Sequence, residues 1–301
     1  MKNNLFCVFA CAVLVVACNS SQKMTQYVKG NFDKQGHRGC RGLMPENTIP
    51  AMIKALGYGV TTLEMDICIS RDRKVFLSHE PFFNHEFTTL PNGKYIEEGK
   101  ERSYNMFTMD YDSISKYDVG LKTNPRFPKQ EKIKATKPLL SDVFLAVNNA
   151  MMTRKRPFPY YNIEAKTLPE TDGVFHPAPS EFVELLIAVI KDNHMEKQVI
   201  IQSFDFRVLQ YIHKHYPTMA TAMLIEPADK RSFRKQLTDL GFNPTIYSPG
   251  FELVTKSLVD DCHTKNIRII PWTVNDKTKI NGLKELGVDG LISDYPDLLN
   301  D

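Results

Sequence analysis

Short apolar runs alternate with amphipathic stretches along most of the chain. Runs at 34–37, 62–70, 160–166, 198–203, 221–225, 245–248, 267–274 and 290–293 read as buried strands. Between them, 181–191, 206–215, 231–240 and 277–286 repeat apolar residues every three or four positions, the pattern of a helix with one buried face. Another helix is expected near 141–149. Strands that alternate with helices pair in parallel through crossover connections. Eight such units in one run predict an α/β chain closed into a (β/α)8 TIM barrel. No glycine-rich nucleotide loop follows the first strand, which argues against an open doubly wound sheet.

The rhythm breaks between 81 and 137. This stretch is polar and aromatic, with turn signals at Pro91-Asn92-Gly93, Pro125 and Pro128. A connection of this length is usually functional. It is expected to form a small insertion subdomain over the barrel mouth, after the second strand; a peripheral decoration is the other reading.

Composition changes the picture only at the N-terminus. The chain has 301 residues, 42% hydrophobic and 24% charged, with a net charge of +3. That is ordinary composition, long enough for a barrel of about 250 residues and without the basic excess of a nucleic-acid binder. Lys2 precedes an apolar run at 5–17 that is too short to span a bilayer. The run ends in Val15-Val16-Ala17-Cys18, followed by polar Asn19, Ser20 and Ser21. Small residues before a cysteine resemble the bacterial lipoprotein processing site. The expectation is a signal peptide at 1–17, a lipidated Cys18, a tether over 18–32 and a barrel domain over 33–301. Such a protein is exported to the bacterial cell envelope, lipid-anchored and periplasmic. An ordinary secretory signal with an incidental Cys18 is the alternative. Cys40, Cys68 and Cys262 then remain, an odd set without metal spacing. They read as buried small residues, with a Cys40–Cys68 disulfide as the alternative.

Four constellations carry candidate chemistry. Gly36-His37-Arg38-Gly39 sits where the first strand ends, on the barrel face where active sites collect. His37 can move a proton near neutral pH, and the planar fork of Arg38 suits phosphate oxygens. Pro45-Glu46-Asn47-Thr48 follows, and Asn47 or Thr48 can cap the next helix. In Leu63-Glu64-Met65-Asp66-Ile67, strand alternation points Glu64 and Asp66 to one side and the three apolar residues to the other. In Asn162-Ile163-Glu164-Ala165-Lys166, Glu164 becomes a third inward carboxylate with Lys166 beside it. Three converging carboxylates suit one hard divalent cation, Mg²⁺ or Ca²⁺; salt-bridged acids are the alternative. Ser78-His79-Glu80 lies just beyond the acidic strand, and His79 can reach the same mouth as a second proton carrier. The remaining histidines, His85, His176, His194, His213, His215 and His263, read as surface or packing residues.

The ordered set Gly-His-Arg-Gly, Pro-Glu-Asn-Thr, Glu-x-Asp, His and Glu-x-Lys resembles the glycerophosphodiester phosphodiesterase family. The resemblance continues through Ser203-Phe204, Trp272-Thr273-Val274-Asn275, Gly287-Val288-Asp289-Gly290 and Ser293-Asp294-Tyr295-Pro296, spanning about residues 35–296. It implies an eight-stranded α/β barrel with a small insertion after the second strand. It implies Glu64, Asp66 and Glu164 as metal ligands, and His37 and His79 as the acid/base pair. Arg38 and Lys166 would then hold the phosphate, with Trp272 flanking the glycerol or simply packing in the core. The sequence departs from the family at Glu80, where aspartate is usual, and at Cys40 and Arg41, where small residues are usual. Arg41 either adds a cation near the phosphate or faces solvent.

The resemblance implies a substrate class of small glycerophosphodiesters, split to glycerol 3-phosphate and an alcohol, with membrane contact only through the lipid anchor. Two alternatives stand beside it. One is a barrel phospholipase C or D-like enzyme acting on intact lipids, for which an apolar exposed rim would be the mark. The other is a non-catalytic lipoprotein that binds phosphodiesters.

Overall fold

A computed structural model describes residues 31–300. Nine strands form, β1 (Asp33–Gly36), β2 (Thr62–Ile69), β3 (Val75–Leu77), β4 (Tyr160–Ala165), β5 (Val199–Ser203), β6 (Ala220–Ile225), β7 (Ile246–Pro249), β8 (Arg268–Ile269) and β9 (Gly290–Ser293). Eight of them run in the order β8-β7-β6-β5-β4-β2-β1-β9, all parallel. Between the two ends of this order, beside β8 and β9, the backbone N–H of Asp289 donates to Ile269 at 2.9 Å and that of Ile292 to Pro271 at 3.1 Å, which brings the sheet to near closure. The helices are α1 (Ile49–Gly57), α2 (Tyr111–Ile114), α3 (Leu140–Arg154), α4 (Pro179–Asp192), α5 (Phe206–His215), α6 (Phe233–Leu240), α7 (Lys256–Thr264) and α8 (Lys277–Leu286); α2 is a single turn within the 81–137 insertion. This is the predicted TIM barrel.

Strand and helix ends differ from expectation where capping or proline chemistry intervenes. The 267–274 run is regular only over Arg268–Ile269. Pro271 lacks an N–H and interrupts the ladder, although Ile270 still donates to Tyr247 at 3.0 Å. Helix α6 begins at Phe233 because Ser232 caps it, accepting the Lys235 N–H at 3.3 Å. Between Asn47 and Thr48, the cap of α1 is Thr48, which accepts the Ala51 N–H at 3.3 Å.

Alternation along β2 sorts the layers as predicted. Leu63, Met65 and Ile67 are fully buried and pack with Ala51, Met52, Val143 and Phe144 between sheet and helices. The opposite side of the wall is polar at the top, with Gln35, Glu64, Asp66, Asn162, Glu164 and Gln202 all buried. A separate cluster of Ile200, Ala222, Ile246, Ile270 and Ile292 supplies apolar packing, with Trp272 against it.

Strand β3 folds back antiparallel on β2, pairing Leu77 with Ile67 and Val75 with Ile69. The chain from 81 to 137 then gathers Phe83, Phe87, Ile96, Met106, Ile114, Val119 and Ala135 around Cys68 and Phe76. That apolar cluster explains why a stretch without helical or strand periodicity is ordered. Cys40, Cys68 and Cys262 are free and buried, so the Cys40–Cys68 disulfide does not form. Instead, the Cys40 thiol lies 3.4 Å from the Ala51 carbonyl and the Cys68 thiol 3.5 Å from that of Ser78. Among the described residues, no helix is long and apolar enough to cross a membrane. The expected signal at 1–17, Cys18 and nearly all of the tether lie outside the described residues.

Candidate active site

The chain leaves β1 through Gly36, where a Cβ would meet the Gly39 carbonyl at 2.1 Å, so only glycine permits this tight exit. His37 and Arg38 follow at the barrel mouth. The Nδ1 of His37 lies 2.6 Å from Oδ1 of Asp294, just past the end of β9. Asp294 also accepts from Nε and Nη2 of Arg41 at 2.8 and 3.0 Å, and from Nδ2 of Asn275 at 2.7 Å. A carboxylate so surrounded can only accept, which assigns the proton to Nδ1 of His37 and leaves Nε2 with its lone pair. Burial pushes the His37 pKa down to about 4, against the pull of Asp294 and with help from Arg41 and Arg38. Burial would raise Asp294, but His37 and Arg41 outweigh it and hold the carboxyl well below the usual range.

His79 arrives by the β2–β3 hairpin. Its Nδ1 lies 3.0 Å from Oε1 of Glu80, the residue at which the chain departs from the resembling family. Burial, then Arg38, lower the His79 pKa. Burial also works to raise Glu80, yet the hydrogen bond and charge of His79 bring its carboxyl down to about 2. Both histidines therefore have the same construction, with Nδ1 committed to a carboxylate.

The three acids meet because β2 and β4 are in register, Asp66 opposite Glu164 and Glu64 opposite Asn162. One ligand atom from each of Glu64, Asp66 and Glu164 lies within 4.8 Å of the others, and all three residues are buried. Their surroundings hold them in place. Glu64 accepts the Arg38 N–H at 2.8 Å and Nε2 of Gln202 at 2.6 Å. Asp66 accepts Nδ2 of Asn47 at 2.8 Å and faces Nε of Arg38 at 3.1 Å. Glu164 accepts Nζ of Lys166 at 2.8 Å. Burial and the neighbouring Asp66 push Glu64 well above the usual carboxylate range. Burial moves Glu164 up to about 7 despite Lys166. Asp66 goes the other way, since Arg38, His79 and Lys166 outweigh its burial.

This donor set fits a hard divalent cation. Oδ1 of Asp66 is buried without a hydrogen-bond partner, and two of the three acids resist ionisation as they stand. A cation between them would satisfy that oxygen and favour all three anions.

The groups line one cavity of about 480 Å³, walled by His37, Arg38, His79, Glu64, Glu164 and Lys166. Trp272 closes another side, edge-on to Phe204 at 5.5 Å, its Nε1 donating to the Ser248 carbonyl at 2.9 Å. Across residues 37–298, the sequence matches the profile of the Glycerophosphoryl diester phosphodiesterase family. The chain belongs to that family.

Membership makes it a phosphoric diester hydrolase, and relatives agree. A glycerophosphodiester phosphodiesterase of Bacillus altitudinis is 29% identical, over 87% of this chain and 94% of the other. One from Caldanaerobacter subterraneus is 27% identical over the same shares, 87% and 94%. A crystal structure from Silicibacter pomeroyi, of a candidate glycerophosphoryl diester phosphodiesterase, superposes with a TM-score of 0.79 at 28% identity, covering 89% of this chain and 92% of that one. An Oleispira antarctica phosphodiesterase, solved with the product sn-glycerol-3-phosphate, shares the fold with a TM-score of 0.69 at 17% identity, over 89% and 94% of the two chains.

In this phosphodiesterase, the structure brings together every residue that the sequence suggested for the site among the described residues. It also adds four. Asp294 and Arg41 back His37, while Gln202 and Asn47 hold two of the acids. By sequence, Asp294 belongs to the Ser293-Asp294-Tyr295-Pro296 motif without a role of its own, and Arg41 fits either a cation near the phosphate or a solvent-facing side chain. His176 was read as surface or packing. It is buried, with Nε2 accepting the Leu168 N–H at 3.0 Å, and it lines the cavity wall as a packed side chain.

Proposed function

We propose that the enzyme hydrolyses glycerophosphodiesters to glycerol 3-phosphate and an alcohol in this cavity, with Mg²⁺ or Ca²⁺ held by Glu64, Asp66 and Glu164. The observation that carries the reading is the pairing of two carboxylate-backed histidines, His37 and His79, with an acidic triad of which Glu64 and Glu164 line the same cavity. When bound, the cation supplies Lewis-acid polarisation of a phosphoryl oxygen. The rest is the work of the chain. Arg38 and Lys166 place positive charge where it grows on the phosphoryl oxygens. One histidine takes the proton of the attacking hydroxyl or water on its Nε2 as the new P–O bond forms. The other, entering the step as the imidazolium, gives its Nε2 proton to the departing alcohol oxygen as the old P–O bond breaks, while its Nδ1 proton stays on the carboxylate. Trp272 supplies a flat apolar wall for the glycerol carbons. The product seen in the Oleispira antarctica structure supports glycerol 3-phosphate as the retained half.

The test is glycerol 3-phosphate release from glycerophosphocholine with Mg²⁺, Ca²⁺ or EDTA, beside His37→Ala and Glu64→Ala. Metal-dependent release, lost in both variants, is expected. Folded protein that releases nothing from several glycerophosphodiesters with either ion would overturn the reading. One observation favours a lipid-tailed substrate instead, since Leu168 is 54% exposed where it lines the cavity. Faster turnover of intact phospholipid in the same assay would select that alternative.

The proposal extends to the envelope. Val15-Val16-Ala17-Cys18 supports lipidation at Cys18, which would hold the enzyme at a membrane surface on the periplasmic side. Incorporation of labelled palmitate, abolished by Cys18→Ser, is the expected result; equal labelling of the variant would reject it.

A further inference from the structure

Arg41 stands behind His37 and Lys137 beside the turn that carries His79, and the last part of the insertion reaches both. Arg41 grips Asp294 through two hydrogen bonds, and its guanidinium lies over the ring of Phe127 with 4.8 Å to the centroid. Nε2 of Gln130 donates to the Arg41 carbonyl at 2.5 Å, and the Glu131 N–H to the Leu43 carbonyl at 2.9 Å. Phe127 is itself buried. At the far end of the same leg, Lys137 is 5% exposed, and its Nζ donates to Oγ of Ser78 at 2.8 Å. Ser78 in turn donates to the Glu80 carbonyl at 2.5 Å, which ties the Ser78–Glu80 backbone beside His79. Glu80 is the acid whose charge most favours the Lys137 ammonium. The acid/base reading gives Lys137 no part and uses Arg41 only as a partner of Asp294.

We propose that residues 127–137 are a positioning element for both histidines. Through Arg41 they fix Asp294 and hence His37; through Lys137 they fix the Ser78–Glu80 turn and hence His79. A guanidinium stacked on an aromatic ring has one plane left for its fork, and that plane aims both donors at Asp294. Asp294 then holds one orientation, and the imidazole hydrogen-bonded to it holds one ring plane. Lys137 acts on this backbone from a buried position, through the Ser78 hydroxyl. The insertion thus couples two residues that lie 42 positions apart to a common support.

This rests on His37 and His79 being the acid/base pair, so the test has a readout independent of turnover. In enzyme labelled with ¹⁵N-histidine, a hydrogen bond of 2.6 Å places the His37 Nδ1 proton far downfield. It is assigned by its loss in His37→Ala. In Arg41→Met that resonance is expected to shift or broaden, and kcat to fall on the order of 10- to 100-fold with KM nearly unchanged. Arg41→Lys, which keeps charge but not the fork, restores kcat only in part. Phe127→Leu shifts the proton in the same direction by less and serves where Arg41→Met does not fold. Lys137→Met lowers kcat and leaves the His37 proton in place. Tyr95→Ala, 60% exposed elsewhere on the insertion, leaves both readouts unchanged. An unmoved proton with normal kcat in folded Arg41→Met and Phe127→Leu would overturn the proposal. So would a raised KM at normal kcat, which would make Arg41 a phosphate contact. Full activity in His37→Ala would instead defeat the acid/base reading, while the proton shift would still judge the support.

Discussion

The Nδ1 of His37 and Oδ1 of Asp294 are 2.6 Å apart although 257 residues separate them in the chain. This contact assigns the tautomer of a ring that burial keeps neutral, and it leaves Nε2 as the basic nitrogen at the cavity.

Asp294→Asn should therefore be a severe change in chemistry with little change in shape. An amide can turn its NH₂ toward Nδ1 and force the proton onto Nε2. The expected loss in kcat is about 10²- to 10⁴-fold, the usual worth of a positioned acid or base. Steady-state kinetics with a matched circular dichroism spectrum checks it, and a variant within twofold or so of the parent would dismiss the pairing as incidental.

Divalent metal should stabilise the protein apart from any turnover. At a concentration 100-fold above Kd, binding adds roughly 2.7 kcal/mol, which for a chain of this size corresponds to about 4–5 °C in unfolding temperature. Asp66→Asn should abolish that rise, because it blunts the one triad oxygen left buried without a partner. Equal melting curves with Mg²⁺, Ca²⁺ and EDTA would remove the triad as a cation site.

Tyr161 carries a test of packing. It is fully buried, its ring edge-on to Phe144 at 4.9 Å, and its hydroxyl has no hydrogen-bond partner. An unsatisfied buried hydroxyl costs about 1–3 kcal/mol, so Tyr161→Phe should hold or raise stability by roughly 1 kcal/mol. Urea unfolding measures this, and a clear loss of stability would show that the hydroxyl has a partner.

Lys137 supplies a pH dependence whose sign is fixed. Burial lowers its pKa below the ordinary 10.5, with Glu80 opposing. The unfolded chain then binds the proton more tightly than the folded one, so the buried charge costs stability most below the lowered folded pKa. That cost fades as pH rises from the folded value toward the unfolded one. Wild type should gain stability relative to Lys137→Met as pH rises from the lowered folded value toward the ordinary 10.5. A difference that stays flat over this window would contradict the shift.

Much of the site was legible because β-strands alternate with a period of two. Glu64 and Asp66 had to share a side, and so did Glu164 and Lys166, whatever the fold. That Glu164 faces Asp66 was not legible, since it depends on the register of β2 with β4. The cap of α1 shows the same boundary. Asn47 and Thr48 were equivalent by residue type, and the fold separated them by placing Asn47 2.8 Å from Asp66 and Thr48 on the helix. The 267–274 run read as one strand because periodicity records burial, while Pro271 limits the ladder.

The sequence by itself determined the barrel, the identity of the acids, and the two histidines. Each of these is written in local spacing, through alternation, helical period and short motifs. The tertiary structure alone decided how those groups are tuned. Asp294, Arg41, Gln202 and Lys137 act through contacts across 257, 253, 138 and 59 residues of chain. No local pattern encodes a partner that far away, because hydrogen-bond geometry and the desolvation that shifts a pKa exist only once distant segments share a buried space.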